Sequence, residues 1–305
     1  MLLPSASRIF SHRSIGACPS SIATPTTLRS ITRSSGSTKA SATAPQLHRR
    51  SLLGSAILGG SLLGGFMQNS GLTVATASSG SKYEKVLDDP KYPENWPFSP
   101  EDFARFDELP DGLFYSYPRL VTHIDQPAIG ALTKFYSQVF PESGRSDTAL
   151  LDVCSSWVSH YPPGYKAAKV AGLGMNAEEL KRNTQLTEWT VRDLNLDPTL
   201  PYPDNTFDVI TNCVSVDYLT KPLEIFKEMR RVLKPGGTAY MSFSNRCFPT
   251  KATQIWTSTS DIDHVWLVGA FYHYAGGYTP ARCSDISPNP GRSDPMYVVH
   301  ASKTA

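Results

Sequence analysis

The stretch from residue 202 to residue 245 constrains the fold of this chain more than any other. It reads YPDNTFDVITNCVSVDYLTKPLEIFKEMRRVLKPGGTAYMSFSN. An apolar run over 207–212 leads into a polar loop. Ile225, Phe226, Met229, Val232 and Leu233 then recur at helical spacing and form one apolar face, the pattern of a helix packed on a sheet. Lys234-Pro235-Gly236-Gly237 predicts the helix stop, and a second apolar run over 238–244 follows. A strand, a helix and a strand in this order form one unit of a parallel α/β sheet.

The preceding residues extend the same plan. Apolar runs at 148–153, 169–173 and 189–192 predict three further strands, and later ones at 284–287 and 296–301 flank the turn Pro288-Asn289-Pro290-Gly291. Asn176-Ala177-Glu178-Glu179 predicts a capping box opening a short helix. Ile129, Leu132, Phe135, Tyr136 and Val139 predict a helix over 126–140 that ends before Pro141. Ser260-Asp261-Ile262-Asp263 starts another, which Gly276-Gly277 ends. Residues 81–112 have no period and many aromatic and proline residues, and read as an irregular arm. The expected fold is α/β, a doubly wound, mostly parallel sheet with helices on both faces and a short N-terminal arm.

In such a sheet a ligand binds beyond the carboxyl ends of the strands. Those ends are Asp152, Cys154, Ser155 and Ser156 after the first strand, Gly174, Met175 and Asn176 after the second, Asp193 and Leu194 after the third, and Asn212 after the fourth. The segment LPYPDNTFDVI and the KPGG turn, with their flanks, resemble the class I S-adenosylmethionine (SAM) dependent methyltransferases of type 11. The resemblance covers 146–303. It implies a seven-stranded Rossmann-like sheet closed by an antiparallel hairpin, SAM as cofactor, and the strand-end residues just named as its binding set. Asp193 would face the adenine amino group, and Asp208 would anchor its strand. Two positions depart from the family pattern. Its glycine-rich first turn is here Cys154-Ser155-Ser156-Trp157, and its ribose-binding acid at the end of the second strand is here Gly174. A hydrogen bond to a charged group is worth about 1.5–3 kcal/mol, so the second departure matters unless Asn176 or a backbone group substitutes. Trp157 must point away from the cofactor or cover it.

Methyl transfer asks the protein for in-line positioning and, with some acceptors, a general base. Asp217, Tyr218 and His160 are the candidates, with His264 and His273 further along the chain. The segment 78–145 would supply the arm and a lid helix over the acceptor. Its aromatic residues Trp96, Phe98, Phe103, Phe106, Phe114, Tyr115 and Tyr117 suit either an aromatic acceptor or ordinary packing. The four cysteines of this part, Cys154, Cys213, Cys247 and Cys283, form no C-x-x-C pair, which argues against a structural zinc site. Cys154, Cys213 and Cys247 fall near neighbouring strand ends and read as free thiols or as a disulfide pair.

The first 80 residues contain no Asp or Glu and seven basic residues, and are rich in Ser, Thr and Ala. That is the composition of an organelle transit peptide, assigned to 1–48. Arg49-Arg50, a mild apolar run and Ala75-Thr76-Ala77 resemble a twin-arginine export signal over 49–77. Together they predict a chloroplast protein of the thylakoid lumen rather than the stroma, close to the thylakoid membrane. Without the seven basic residues the chain keeps 22 Lys and Arg against 27 Asp and Glu, which disfavours a nucleic-acid partner. Two functions fit these readings. One is SAM-dependent methyl transfer to a small-molecule or lipid-like acceptor. The other is a catalytically silent binding or assembly protein on the same fold.

Overall fold

In the computed structural model, residues 80–305 are described. The segments expected to be targeting signals, 1–48 and 49–77, lie outside them. Seven strands form one sheet: β1 (Ala149–Val153), β2 (Lys169–Gly174), β3 (Glu188–Val191), β4 (Phe207–Cys213), β5 (Leu233–Phe243), β6 (Arg282–Asp285) and β7 (Tyr297–Ser302). Their order is β3-β2-β1-β4-β5-β7-β6. The first five run parallel, and β7 pairs antiparallel with both β5 and β6. The order reverses between β1 and β4, so a crevice is expected above that point. This is the sheet that the resemblance implies, closing hairpin included.

Six α-helical segments accompany it: α1 (Asp111–Phe114), α2 (Gln126–Val139), α3 (Ala177–Arg182), α4 (Pro222–Val232), α5 (Gln254–Thr257) and α6 (Asp261–Ala275). On one face, α2 buries Ala128, Leu132, Phe135 and Tyr136 against Leu150, Val209, Tyr240 and Val298. On the other, α4 and α6 bury Ile225, Phe226, Met229, Val268 and Phe271 against Leu151, Ile210 and Met241. Each fully buried side chain of this size contributes about 1.5–3 kcal/mol. The helix expected as a lid, α2, is thus a layer of the sheet domain. The strand after α4 starts at Leu233, earlier than the KPGG turn suggests. A register shift between Phe207 and Val209 absorbs the irregular residues, and Gly236 adopts a φ of +79° there. Asp208 anchors the strands as expected, its Oδ2 accepting hydrogen bonds from the Ala149 N–H and the Lys234 ammonium, each at 2.8 Å.

The arm covers the second face. Tyr92, Trp96, Phe98 and Phe103 pack on Trp266, Phe271, His273 and Tyr274 of α6. This second layer explains why α6 is apolar on nearly all sides. A Cβ on Gly269 would lie 2.5 Å from the Tyr92 hydroxyl oxygen and 2.6 Å from Leu87. Trp96, Phe98 and Phe103 of the arm therefore serve packing, and Phe106 and Tyr117 are left exposed.

A buried ion cluster ties residues 105–111 to the segment after β5. The Lys251 side chain, 1% exposed, donates to the Asp107 carbonyl at 3.1 Å and the Leu109 carbonyl at 2.6 Å, and lies 3.1 Å from an Asp111 carboxylate oxygen. Arg105 Nη1 donates to both oxygens of Asp111 at 2.7 Å, and Asn195 Nδ2 donates to Asp111 Oδ2 at 2.9 Å. Burial pushes the Asp111 carboxyl up, but the bonds from Arg105, Asn195 and Lys251 outweigh it and hold the group below its usual range. Removing one partner from such a cluster leaves an uncompensated buried charge, at a cost of about 3–5 kcal/mol. Lys251→Ala is expected to lower stability by that order in urea denaturation and to accelerate amide exchange selectively over 105–123. Unchanged exchange in that segment would show that the cluster does not hold it.

Candidate functional site

The turn after β1 sets the shape of the site. Asp152 ends β1 buried, and its carboxylate accepts three hydroxyls: Ser155 Oγ at 2.7 Å and Ser159 Oγ at 2.6 Å on Oδ2, and Thr211 Oγ1 at 3.0 Å on Oδ1. Burial raises its pKa to about 6 despite these bonds. The serines hold the turn in the absence of glycines. Cys154 and His160 take left-handed backbone angles, φ +59° and +56°, where a glycine would be unstrained. The Ser155 N–H donates to the Leu173 carbonyl of β2 at 2.8 Å, which lays the turn across the end of β2. Trp157 points away, its indole N–H donating to the Val121 carbonyl at 2.9 Å.

Above the strand ends lies a cavity of about 100 Å³. Asp152, Cys154, Ser155, Ser156, Gly174, Met175, Asp193 and Leu194 of the expected binding set line it, with His160 and Tyr218 of the candidate bases. Asn176, Asn212 and Asp217 do not. The Asn176 side chain is consumed by local structure: Oδ1 accepts from the N–H groups of Glu178 and Glu179, and Nδ2 donates to the Tyr115 carbonyl. Asn212 bridges β4 to β1 through the Val153 carbonyl. Asp217 is buried behind the wall, with Oδ2 unpartnered among the described residues.

Residues 111–123, part of the segment expected over the acceptor, contribute a roof: Tyr115 lines the cavity together with Asp111, Arg119 and His123, which sequence reasoning missed, and Phe248 from beyond β5. The Arg119 guanidinium carbon sits 3.8 Å from the Phe114 ring centroid and 5.2 Å from that of Phe248. Its Nη2 donates to the Phe114 carbonyl at 3.0 Å, no carboxylate lies within ion-pair distance of it among the described residues, and its Nε is buried without a hydrogen bond. Ligand pockets usually measure about 300–1,000 Å³, so a large ligand enters this cavity only if the roof withdraws.

Electrostatics separates the acid–base candidates. Burial, with a smaller contribution from His123, lowers the His160 pKa to about 4, so the imidazole is neutral near pH 7. Burial and the Asp217 charge push the Tyr218 phenol far above its usual range, and its oxygen accepts the Phe248 N–H at 2.7 Å. Burial raises Asp217 to about 8. All four cysteines in the described residues are free, and burial pushes the Cys154 and Cys213 thiols up to about 12.

Residues 152–241, from the end of β1 into β5, match the family model described as a methyltransferase domain. A ubiquinone/menaquinone biosynthesis C-methyltransferase, UbiE, of Cronobacter sakazakii is 32% identical over 108 residues, 35% of this chain and 36% of that protein. A probable methyltransferase, ltbC, of Aspergillus luteorubrus is 38% identical over 92 residues, 29% of this chain and 30% of that protein. The chain thus spans about a third of the length of these curated relatives. A SAM-dependent methyltransferase of Aquifex aeolicus aligns in structure over 60% of this chain and 92% of its own, at 21% identity and a TM-score of 0.41. The matched segment is thus similar to a methyltransferase domain. The cofactor of that domain is S-adenosylmethionine.

Asp217 carries a pH signature. Its pKa is raised on folding, from 3.8 to about 8, so the folded state holds a proton that the unfolded state releases. Its contribution to stability is full below the unfolded pKa and is lost as pH rises through about 8. Asp217→Asn is expected to remove up to one proton from the linkage, changing the slope of stability against pH between 5 and 7 by about 1.4 kcal/mol per unit. Denaturant titrations at several pH values measure it, and parallel curves for the two proteins would contradict the assignment.

Proposed function

We propose that this protein transfers a methyl group from S-adenosylmethionine to a small, planar acceptor held beneath the 111–123 roof. The observation that carries the reading is that one strand-end cavity is lined both by Asp193, with a carboxylate oxygen to offer, and by the Arg119 guanidinium. At the end of β3, Asp193 uses Oδ1 to accept the N–H groups of Asn195 and Leu196 and keeps Oδ2 without a partner among the described residues. An adenine amino group is a donor suited to that oxygen, and Leu173, Met175 and Leu194 offer apolar surface beside it. At the roof, the Arg119 guanidinium, which lacks a carboxylate partner among the described residues, suits the methionyl carboxylate, which a charge-assisted hydrogen bond would hold. The residues present therefore fit the cofactor chemically.

Bound S-adenosylmethionine supplies an electrophilic methyl group on a sulfonium. The protein's task is to present the acceptor in line and to keep water away. Tyr115, Tyr218 and Phe248 give the remaining wall an aromatic character suited to a flat ring. The names of the UbiE relatives, C-methyltransferases of quinone biosynthesis, are consistent with such an acceptor. Where the acceptor must lose a proton, His160 is the group in place to take it. It is neutral and on the cavity wall, whereas Tyr218 is held protonated and Asp217 stands behind the wall.

Calorimetric titration tests the reading. S-adenosylmethionine and S-adenosylhomocysteine should both bind, and Asp193→Ala should weaken each by about 1–3 kcal/mol, the cost of leaving a buried donor unmet. Absence of binding at millimolar ligand would remove the methyltransferase reading and leave the silent scaffold.

A further inference from the structure

An adenosyl group brings two adjacent hydroxyl donors into the cavity, and burying them without an acceptor is unfavourable. The end of β2 cannot provide one. A Cβ on Gly174 would lie 2.1 Å from the Ser155 carbonyl oxygen and 3.2 Å from Leu180, so no side chain can grow from that position while the turn after β1 stays in place. Asn176 is fully engaged in capping α3 and binding Tyr115. Four carboxylates line the cavity. Asp111 is locked between Arg105, Lys251 and Asn195. Asp152 has both oxygens occupied by hydroxyls. Asp193 keeps one oxygen, opposite the base.

Glu179 is the fourth. It stands in the first turn of α3, 5% exposed. Its Oε1 accepts the Arg119 N–H at 2.7 Å, and Oε2 has no partner among the described residues. The sequence pattern casts it as the reciprocal member of a capping box with Asn176. In the structure its side chain turns to the roof instead, and Asn176 caps the helix alone. Glu179 is therefore a buried carboxylate on the cavity wall with one oxygen to offer.

We propose that Glu179 receives the ribose hydroxyls of the cofactor, replacing an acid at the end of β2. This rests on the S-adenosylmethionine reading and goes beyond it by assigning a new residue to a defined part of the ligand. The same carboxylate holds the Arg119 backbone through Oε1, so ligand sugar and roof meet at one side chain.

The test uses S-adenosylhomocysteine and its 2′-deoxy and 3′-deoxy analogues, titrated into wild type and Glu179→Gln. Glutamine keeps an oxygen for the Arg119 N–H but loses the charge. S-adenosylhomocysteine should bind Glu179→Gln about tenfold or more weakly, the loss expected for a charge-assisted bond. At least one deoxy analogue should bind the two proteins within about threefold of each other, because its missing hydroxyl makes the charge irrelevant. Equal affinity of S-adenosylhomocysteine for both proteins would overturn the proposal. So would a uniform loss for all three ligands, which would mark Glu179 as a support for the roof alone. Wild type that binds none of them removes the cofactor reading itself, a result distinct from either.

Discussion

The site depends on the buried carboxylate of Asp152. It gathers hydroxyls from the turn after β1 and from β4 and thereby fixes the path of residues 154–160. Glycines in such a turn would let a ligand approach the backbone closely. Here serines supply hydrogen bonds instead, and two non-glycine residues accept left-handed angles. The turn gains side-chain order and places the Ser155 carbonyl over Gly174. The two departures from the family pattern are thus one structural event. The serine turn occupies the space into which an acid at the end of β2 would project.

A second constraint acts from above. Residues 105–123 have little regular structure, yet a network of charges and carbonyls around Lys251 seats their first part. Arg119 follows through its N–H bond to Glu179, and Asn176 binds the Tyr115 carbonyl. The roof is held by polar contacts with few apolar ones, and Phe106, Leu109, Leu113 and Tyr117 remain exposed on it. Segments with sparse apolar burial open at lower free energy than the core. That suits a cover that must move aside for a ligand larger than the closed cavity.

Much of the scaffold was legible from periodicity alone. The strands, the apolar face of α4 and the capped start of α6 follow from local pattern, and tertiary packing agrees with it. Within the site, Asp193 and Leu194 were legible because strand ends mark the crevice of any parallel sheet. Glu179 was not, since its spacing from Asn176 imitates a capping box and only the distant Arg119 N–H redirects it. Arg119 and His123 were hidden for a similar reason. They lie in a segment without period, and contacts some 60 residues apart in sequence, such as that between Arg119 and Glu179, place them. Asn212 and Asp217 misled in the opposite sense. Their position at the end of β4 and just past it suggests ligand contact, but both are buried behind the cavity wall.

The central claim is that an adenosyl ligand occupies the space between the β1 turn and the roof. A crystal structure of the protein grown with S-adenosylhomocysteine tests it most directly. The account predicts ligand density over the ends of β1, β2 and β3, in contact with Asp193, Glu179 and Arg119, with the turn at 154–160 unmoved. Density elsewhere on the molecule, or a ligand seated only after the Asp152 turn has rearranged, would contradict it.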